Sequence, residues 1–170
     1  FIHAVKYLGP TWGGINLEDI KAPECFIIED KLKSIMDIPV FHDDQHGTAI
    51  ISSAALLNAL ELAKKKIEKV KIVVSGAGAS ALSCAKLYHA LGAKLSNIYM
   101  FDSKGLIHKG RTDLDATKVY FANHKKDIAF EDAFKKADVF LGLSRGGLVQ
   151  KEMIHAVSHE LRTPVARIRF

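Results

Sequence analysis

The chain has 170 residues, of which 48% are hydrophobic and 25% are charged, a composition that favours a buried core and excludes an intrinsically disordered chain. Its formal net charge of +5 favours anionic ligands, but the lysines are scattered and no aromatic-rich basic face accompanies them, so we expect no nucleic-acid partner. No apolar run approaches the roughly 20 residues needed to cross a bilayer, so we expect no membrane partner either.

The two cysteines, Cys25 and Cys84, are far apart and lie among apolar residues. This pattern is typical of buried thiols in a reducing compartment and predicts a cytoplasmic protein. The chain begins at Phe1 instead of Met and carries no signal-like segment, so we expect it to be incomplete.

The first 44 residues are predicted to be irregular, with turn signals at Gly9-Pro10, Gly13-Gly14 and Pro23. Near the end of this segment we expect one short strand, at Val40-Phe41. From Gln45 to about residue 66 the apolar residues recur with helical spacing, and the lysine-rich end suits a helix C-terminus.

The next part alternates between strands and helices. We predict strands at 70–75, 97–101 and 139–141, and helices at 79–91, 113–123 and 130–136. The first of these strands, Val-Lys-Ile-Val-Val-Ser, is β-branched and apolar, as in a buried parallel strand. The alternation predicts an α/β fold with a doubly wound parallel sheet of Rossmann type, truncated after roughly three strands.

A glycine turn lies between the first of these strands and its helix: Gly76, Ala77, Gly78, Ala79, Ser80 and then Ala81. In dinucleotide-binding folds the first glycine permits the tight turn, the second lets the backbone approach a pyrophosphate, and a small third residue packs helix on strand. Helix N-terminal amides then face the phosphates. A turn built from small residues for packing alone is the alternative.

Asp102 ends the following strand, where a carboxylate would meet the adenosine ribose. The choice between NAD and NADP stays open. Asp102 favours a free 2′-hydroxyl, whereas Ser103, Lys104 and Lys109 could receive a 2′-phosphate.

Two acidic pairs precede the glycine turn, Glu18-Asp19 and Asp43-Asp44, each beside apolar residues. Adjacent carboxylates in such surroundings repel each other unless a cation compensates, and oxygen ligands suit Mg²⁺ or Mn²⁺. His42 and His46 would suggest zinc, but the many carboxylates and the lack of a nearby cysteine argue against it. Helix capping by Asp43 or Asp44 is the alternative.

Four segments resemble bacterial malic enzymes, in the same order and spacing: 13–26 (GGINLEDIKAPECF), 39–49 (PVFHDDQHGTA), 73–79 (VVSGAGA) and 101–105 (FDSKG). The resemblance implies oxidation of malate to pyruvate and CO₂ with NAD or NADP. It further implies that Glu18, Asp19 and Asp44 hold Mg²⁺ or Mn²⁺, and that Asp43 supports the catalytic base. The glycine turn would seat the cofactor phosphates, and the full-length family forms homo-oligomers.

The resemblance also implies a catalytic tyrosine and lysine upstream of 13–26, and Tyr7 and Lys6 lie too close to that segment to be these residues. The family's nicotinamide-side asparagine is also unmatched. We therefore expect a partial enzyme with negligible malate turnover by this chain alone. The alternative is a nucleotide-binding module that does not catalyse a reaction.

The last residues, His155 onward, resemble the phosphoacceptor box of sensor histidine kinases through HELRTP at 159–164. That resemblance implies phosphate acceptance by His159, assistance by Glu160 and a bend at Pro164. The expected organisation is therefore the end of a metal- and substrate-binding region at 1–44, an incomplete Rossmann-like domain at 45–150, and a kinase-like terminal helix at 151–170.

Overall fold

The computed structural model of the chain describes residues 1–144 and 167–168. Its α-helices are α1 (Ile2–Leu8), α2 (Glu24–Ile35), α3 (Thr48–Leu62), α4 (Ala79–Ala90), α5 (Ala116–Val119) and α6 (Phe130–Phe134). Its strands are β1 (Ile15–Leu17), β2 (Val40–His42), β3 (Ile72–Ser75), β4 (Ile98–Asp102), β5 (Gly105–Leu106), β6 (Val139–Gly142) and β7 (Arg167–Ile168). A π-helical turn, Asp43–Gly47, leads directly into α3.

The main sheet has five strands in the order β5-β4-β3-β6-β7. Strands β4, β3, β6 and β7 run parallel, and only the short β5 is antiparallel. Because β4 lies on one side of β3 and β6 on the other, the strand order reverses at β3. The Rossmann-like α/β fold predicted from the sequence is therefore confirmed, with its ligand-binding position expected at the carboxyl ends of these strands.

Strand β3 is buried along its whole length, because helices cover both faces of the sheet. Ile72 and Val74 pack with α3 and α4 in the larger apolar core, whereas Val73 packs in a smaller core beneath α6. This alternation follows from the two-residue period of a strand. Each such buried side chain contributes about 1.5–3 kcal/mol, so the Val-Ile-rich run specifies the centre of the fold.

The expectation of an irregular segment over residues 1–44 is wrong. Strands β1 and β2 form a small parallel sheet, and α2 packs against it around the buried Leu17, Leu32 and Val40. The buried positions of α2 are Cys25, Glu29 and Leu32, which have helical spacing. A glutamate in the buried stripe hid this periodicity from an apolar pattern search.

Other boundaries differ in detail. The helix expected at 113–123 is the single turn α5, and the helix expected from Gln45 begins as a π-turn. Both cysteines are free and buried, in agreement with the buried thiols expected from the sequence. Among the helices of the described residues, none has both the length and the apolar character that a membrane span requires.

The predicted terminal helix, 151–170, lies mostly outside the described residues, as do His159, Glu160 and Pro164. Where the structure does describe this segment, the helix prediction is wrong. Residues 167–168 form β7, which pairs in parallel with β6. The physical reason is that β6 would otherwise present an unpaired edge, and its backbone N–H and C=O groups are satisfied by a neighbouring strand.

Candidate cofactor-binding site

Gly76 makes the tight turn that follows β3. Its φ angle is 115°, in the region that favours glycine, and a Cβ at this position would lie 2.9 Å from the carbonyl carbon of Leu143. Its amide donates a 2.8 Å hydrogen bond to the carbonyl of Phe101. The sequence-based role of the first glycine, permitting the turn, therefore agrees with the geometry.

Gly78 is the N-cap of α4, and its surroundings differ from those of Gly76. A Cβ here would meet no atom of the described residues within 4 Å. The glycine has no side chain to cap α4, so the first-turn amides at Ala79 and Ser80 have no cap from that residue. The protein itself does not need a glycine here, and the open space in front of these amides fits an anionic ligand.

A cleft of about 570 Å³ lies at the carboxyl ends of β3, β4 and β6. Three of the predicted cofactor residues, Gly76, Ala77 and Asp102, line it together. Its full lining is Ser75, Gly76, Ala77, Phe101, Asp102, Ser103, Gly105, Phe130, Glu131 and Ser144. Gly78, Ala79 and Ser80 are not among these residues and follow in the first turn of α4. The size and position of the cleft are those of a small-molecule site at a topological switch point.

Asp102, the last residue of β4, is paired with Arg111. Nη1 and Nη2 of the guanidinium lie 2.8 and 3.0 Å from the two carboxylate oxygens, and the Lys104 amide donates a third hydrogen bond at 2.9 Å. Burial alone would raise the pKa of Asp102, but the hydrogen bonds from Arg111 and Lys104 outweigh it and lower the pKa. Asp102 is therefore a charged acceptor held in a fixed orientation.

Arg111 also binds Asp113, through Nε at 2.9 Å and Nη2 at 2.9 Å, and Lys104 Nζ lies 2.7 Å from the same carboxylate. Hydrogen bonds from Arg111 and Lys104 keep the pKa of Asp113 well below its usual value. Sequence reasoning missed Arg111 and Asp113, because neither belongs to a dinucleotide-binding pattern. Arg111 lies nine positions after Asp102, and it can be recognised as an ion-pair partner of Asp102 only once the β4–β5 hairpin is known.

The two acidic pairs are brought together by the parallel pairing of β1 and β2. Asp19 has a left-handed backbone, φ 57°, and its amide donates to Oδ2 of Asp44 at 3.0 Å. The hydroxyl of Ser80 donates to the backbone carbonyl of Asp44 at 2.5 Å. The acidic region and the first turn of α4 are therefore in direct contact.

Asp43 begins the π-helical turn, an arrangement that recurs at functional sites. A Cβ on Gly47 would lie 2.2 Å from Oδ1 of Asp43. The absence of a side chain at Gly47 therefore leaves room for the Asp43 carboxylate, a role for Gly47 that the sequence did not suggest.

Glu18 and Asp19 are exposed and Asp43 and Asp44 are half-buried. Within residues 1–144 and 167–168, no three His, Cys, Asp or Glu side chains form a group arranged for a metal ion. The zinc alternative has little geometric basis, because His46 Nε2 is already 2.7 Å from Glu29 and the described residues place no third ligand beside this pair. Glu18, Asp19 and Asp44 supply the oxygen donors that a hard divalent ion prefers, but the described geometry does not group them around one point.

Comparison with known proteins returns one family. Residues 45–167 match the family model described as malic enzyme, NAD binding domain. The chain is 55% identical over 161 residues to a probable NADP-dependent malic enzyme of Rickettsia prowazekii, covering 94% of the chain and 21% of that protein. It is 53% identical to an NAD-dependent malic enzyme of Rhizobium meliloti, covering 90% of the chain and 20% of that protein.

Among solved structures, the crystal structure of an NAD-dependent malic enzyme from Thermotoga maritima superposes with a TM-score of 0.81 at 45% identity, covering 91% of this chain and 42% of that one. The chain thus spans about a fifth of the two curated relatives. The family match runs to residue 167 and so includes most of the segment that resembled a histidine kinase. The comparisons give that second resemblance no support.

Proposed function

The chain belongs to the malic enzyme family, and on that premise we propose that it is the cofactor- and metal-binding part of an enzyme that oxidises malate to pyruvate and CO₂. The observation that best supports dinucleotide binding is the open space in front of Gly78. This space lies next to a cleft that is lined by Gly76, Ala77 and Asp102. This is the arrangement that a dinucleotide requires: a close backbone approach for the pyrophosphate and a carboxylate for the ribose.

In this proposal the turn from Gly76 to Ser80 holds the pyrophosphate through backbone amides, and Asp102 accepts a hydrogen bond from the adenosine ribose. The bound NAD or NADP supplies the hydride acceptor. The chain's own contribution is position: β3 fixes the turn, and the contact of Ser80 with the Asp44 carbonyl sets the distance between cofactor and acidic region.

We further propose that Glu18, Asp19 and Asp44 bind Mg²⁺ or Mn²⁺. The oxygen-only donor set and the Asp19–Asp44 contact support this. When bound, the ion supplies positive charge for the hydroxyl and carboxylate of malate. Asp43, held beside Gly47, contributes a negative charge that would support a general base in the same region.

Cofactor and metal binding by the purified chain tests the proposal. NADH and NADPH fluorescence titrations, with and without Mn²⁺, should show saturable binding of at least one dinucleotide. The variant Asp19→Asn should weaken Mn²⁺ binding, whereas Asp30→Asn on the exposed side of α2 removes the same charge and should not. If neither dinucleotide binds to the folded chain, the proposal is wrong.

Malate turnover separates a catalytic chain from a binding module. No residue of this chain matches the catalytic tyrosine and lysine that the family resemblance implies, so we expect negligible malate-dependent formation of NADH or NADPH. Robust turnover by the pure chain would contradict this part of the proposal. Binding without turnover is the expected result.

A further inference from the structure

The ion-pair network beside the cofactor cleft bears on the choice between NAD and NADP, an inference that rests on the proposed function. All five N–H groups of Arg111 have an acceptor. Nε binds Asp113, Nη2 binds Asp102 and Asp113, and Nη1 binds Asp102 and, at 3.5 Å, the carbonyl of Leu106. A guanidinium has five N–H donors, so Arg111 keeps none for a phosphate group.

The other cations of this network are Lys104 and Lys118. Lys118 Nζ lies 3.7 Å from both Asp102 and Asp115, and its side chain is 26% exposed. Lys104 has a side chain that is 68% exposed and contacts Asp113 alone among the described residues. Within residues 1–144 and 167–168, two of its three ammonium donors have no protein acceptor, so Lys104 is the cation of this network best able to turn toward an added phosphate.

Lys104 is also fixed close to the ribose carboxylate, because its own amide donates to Asp102 Oδ1 at 2.9 Å. Lys104 does not itself line the cleft, but its chain neighbours Ser103 and Gly105 do, so its long side chain begins beside the Asp102 end of the cleft. The Asp113 carboxylate competes for that ammonium at 2.7 Å and adds a negative charge that repels a phosphate dianion.

We infer that Asp113 is a specificity-determining positioning residue: by holding Lys104 and saturating Arg111, it lowers the affinity for NADP relative to NAD. Asp102 and Asp113 divide the donors of Arg111 between them, so neither carboxylate is left without a counter-charge. Removing the Asp113 charge frees Lys104 and leaves the bidentate Asp102–Arg111 pair in place.

The test compares NADH and NADPH dissociation constants, measured by fluorescence, for the full 170-residue chain and its Asp113→Asn variant. We expect the ratio of NADPH to NADH affinity to rise about two- to fivefold, the range for one exposed charge pair. A general loss of stability would change both affinities together, so the ratio isolates the positioning role. Asp30→Asn, with the same charge change on α2, should leave the ratio unchanged.

The variant Lys104→Met removes the ammonium group that Asp113 holds. The Lys104 side chain is 68% exposed, so this substitution should not prevent folding. In this background Asp113→Asn should raise the affinity ratio much less, since only the release of the Arg111 donors and the loss of the Asp113 charge remain. An unchanged ratio in Asp113→Asn alone, or the same increase with Lys104 absent, overturns the inference while the cofactor still binds. Failure of the proposed function looks different: the unmodified chain then binds neither dinucleotide.

Discussion

Gly76 and Gly78 belong to one turn, but a Cβ would meet different surroundings at each. At Gly76 it would contact the Leu143 backbone, and φ is 115°. At Gly78 it would point into open space, and the backbone is extended. The fold therefore requires glycine at position 76, whereas at position 78 the requirement comes from the dinucleotide that we propose to bind there.

This difference predicts separate effects for two similar substitutions. Gly76→Ala should lower the free energy of unfolding by about 2 kcal/mol or more, because of backbone strain and the clash with Leu143. Gly78→Ala should lower stability by about 1 kcal/mol at most, since it creates no clash and loses only the N-cap preference of glycine over alanine. It should nevertheless weaken dinucleotide binding about tenfold. Urea unfolding and NADH titration of both variants check this, and normal binding by Gly78→Ala would contradict it.

His42 is fully buried, and neither ring nitrogen has a hydrogen-bond partner among the described residues. A buried polar group without a partner costs about 1–3 kcal/mol, so replacing it with an apolar side chain of similar size should not destabilise the chain. We expect His42→Leu to leave the melting temperature unchanged or raised.

His124 provides a matched control for this substitution. Its Nε2 lies 3.0 Å from the Ile98 carbonyl, and its ring stacks on Tyr99 at 4.0 Å. His124→Leu should therefore lower the melting temperature. A strong loss of stability in His42→Leu would show that His42 has a polar partner after all.

At the scale of elements, the β3–turn–α4 unit could be predicted from the sequence, because a β-branched run, two glycines and a small-residue helix each favour the same local structure. Helix α2 could not, since Glu29 occupies one of its buried positions, where it pairs with Lys33 of the same helix and with His46 from the π-helical turn. Arg111 and Asp113 likewise became recognisable only through the hairpin that places them beside Asp102. Ion pairs between elements leave no periodic apolar signal in a single sequence.

Asp138 joins three elements near the amino ends of the central strands. Its carboxylate accepts hydrogen bonds from Lys65 Nζ, beyond α3, and from the Lys71 amide, before β3, at 2.5 and 2.8 Å. Burial would raise the pKa of Asp138, but the hydrogen bonds from Lys65 and Lys71 outweigh it and lower the pKa. A folded-state pKa below the unfolded one means that deprotonated Asp138 stabilises the fold.

We therefore expect Asp138→Asn to reduce the free energy of unfolding by about 1 kcal/mol at pH 7. The contribution is fully present above the unfolded pKa of about 4 and is lost as the pH falls through the lower folded value. The difference between the original chain and the variant should accordingly shrink below about pH 4. Urea unfolding at a series of pH values measures it, with Asp30→Asn as the control, and a difference independent of pH would contradict the argument.

At the scale of the whole molecule, the two candidate sites form one continuous region. The β1–β2 pair carries the acidic residues, the central sheet carries the cofactor cleft, and the π-turn with the Ser80–Asp44 contact joins them. Displacement of α4 would therefore alter both sites at once.

The outer face of α3 is exposed and apolar. Ile50 and Leu57 form one apolar stripe, with i, i+7 spacing, and Ile51 and Leu62 form a second, with i, i+11 spacing. All four side chains are exposed, and Leu62 is 85% exposed. Two adjacent apolar stripes on one helix are typical of a protein–protein interface, and a two-fold pairing of copies is the commonest arrangement.

We therefore predict that the chain self-associates through this face. The family resemblance implies homo-oligomers but does not name the contact surface. Ile51→Lys combined with Leu62→Lys should shift the sedimentation coefficient to that of the monomer, since two desolvated ammonium groups would oppose the contact. Ile27→Lys, at an exposed apolar position on α2, adds a charge elsewhere and should not shift it. If the unmodified chain sediments as a monomer over the whole concentration range, α3 is not an interface between copies, and its apolar face must be explained by a different partner.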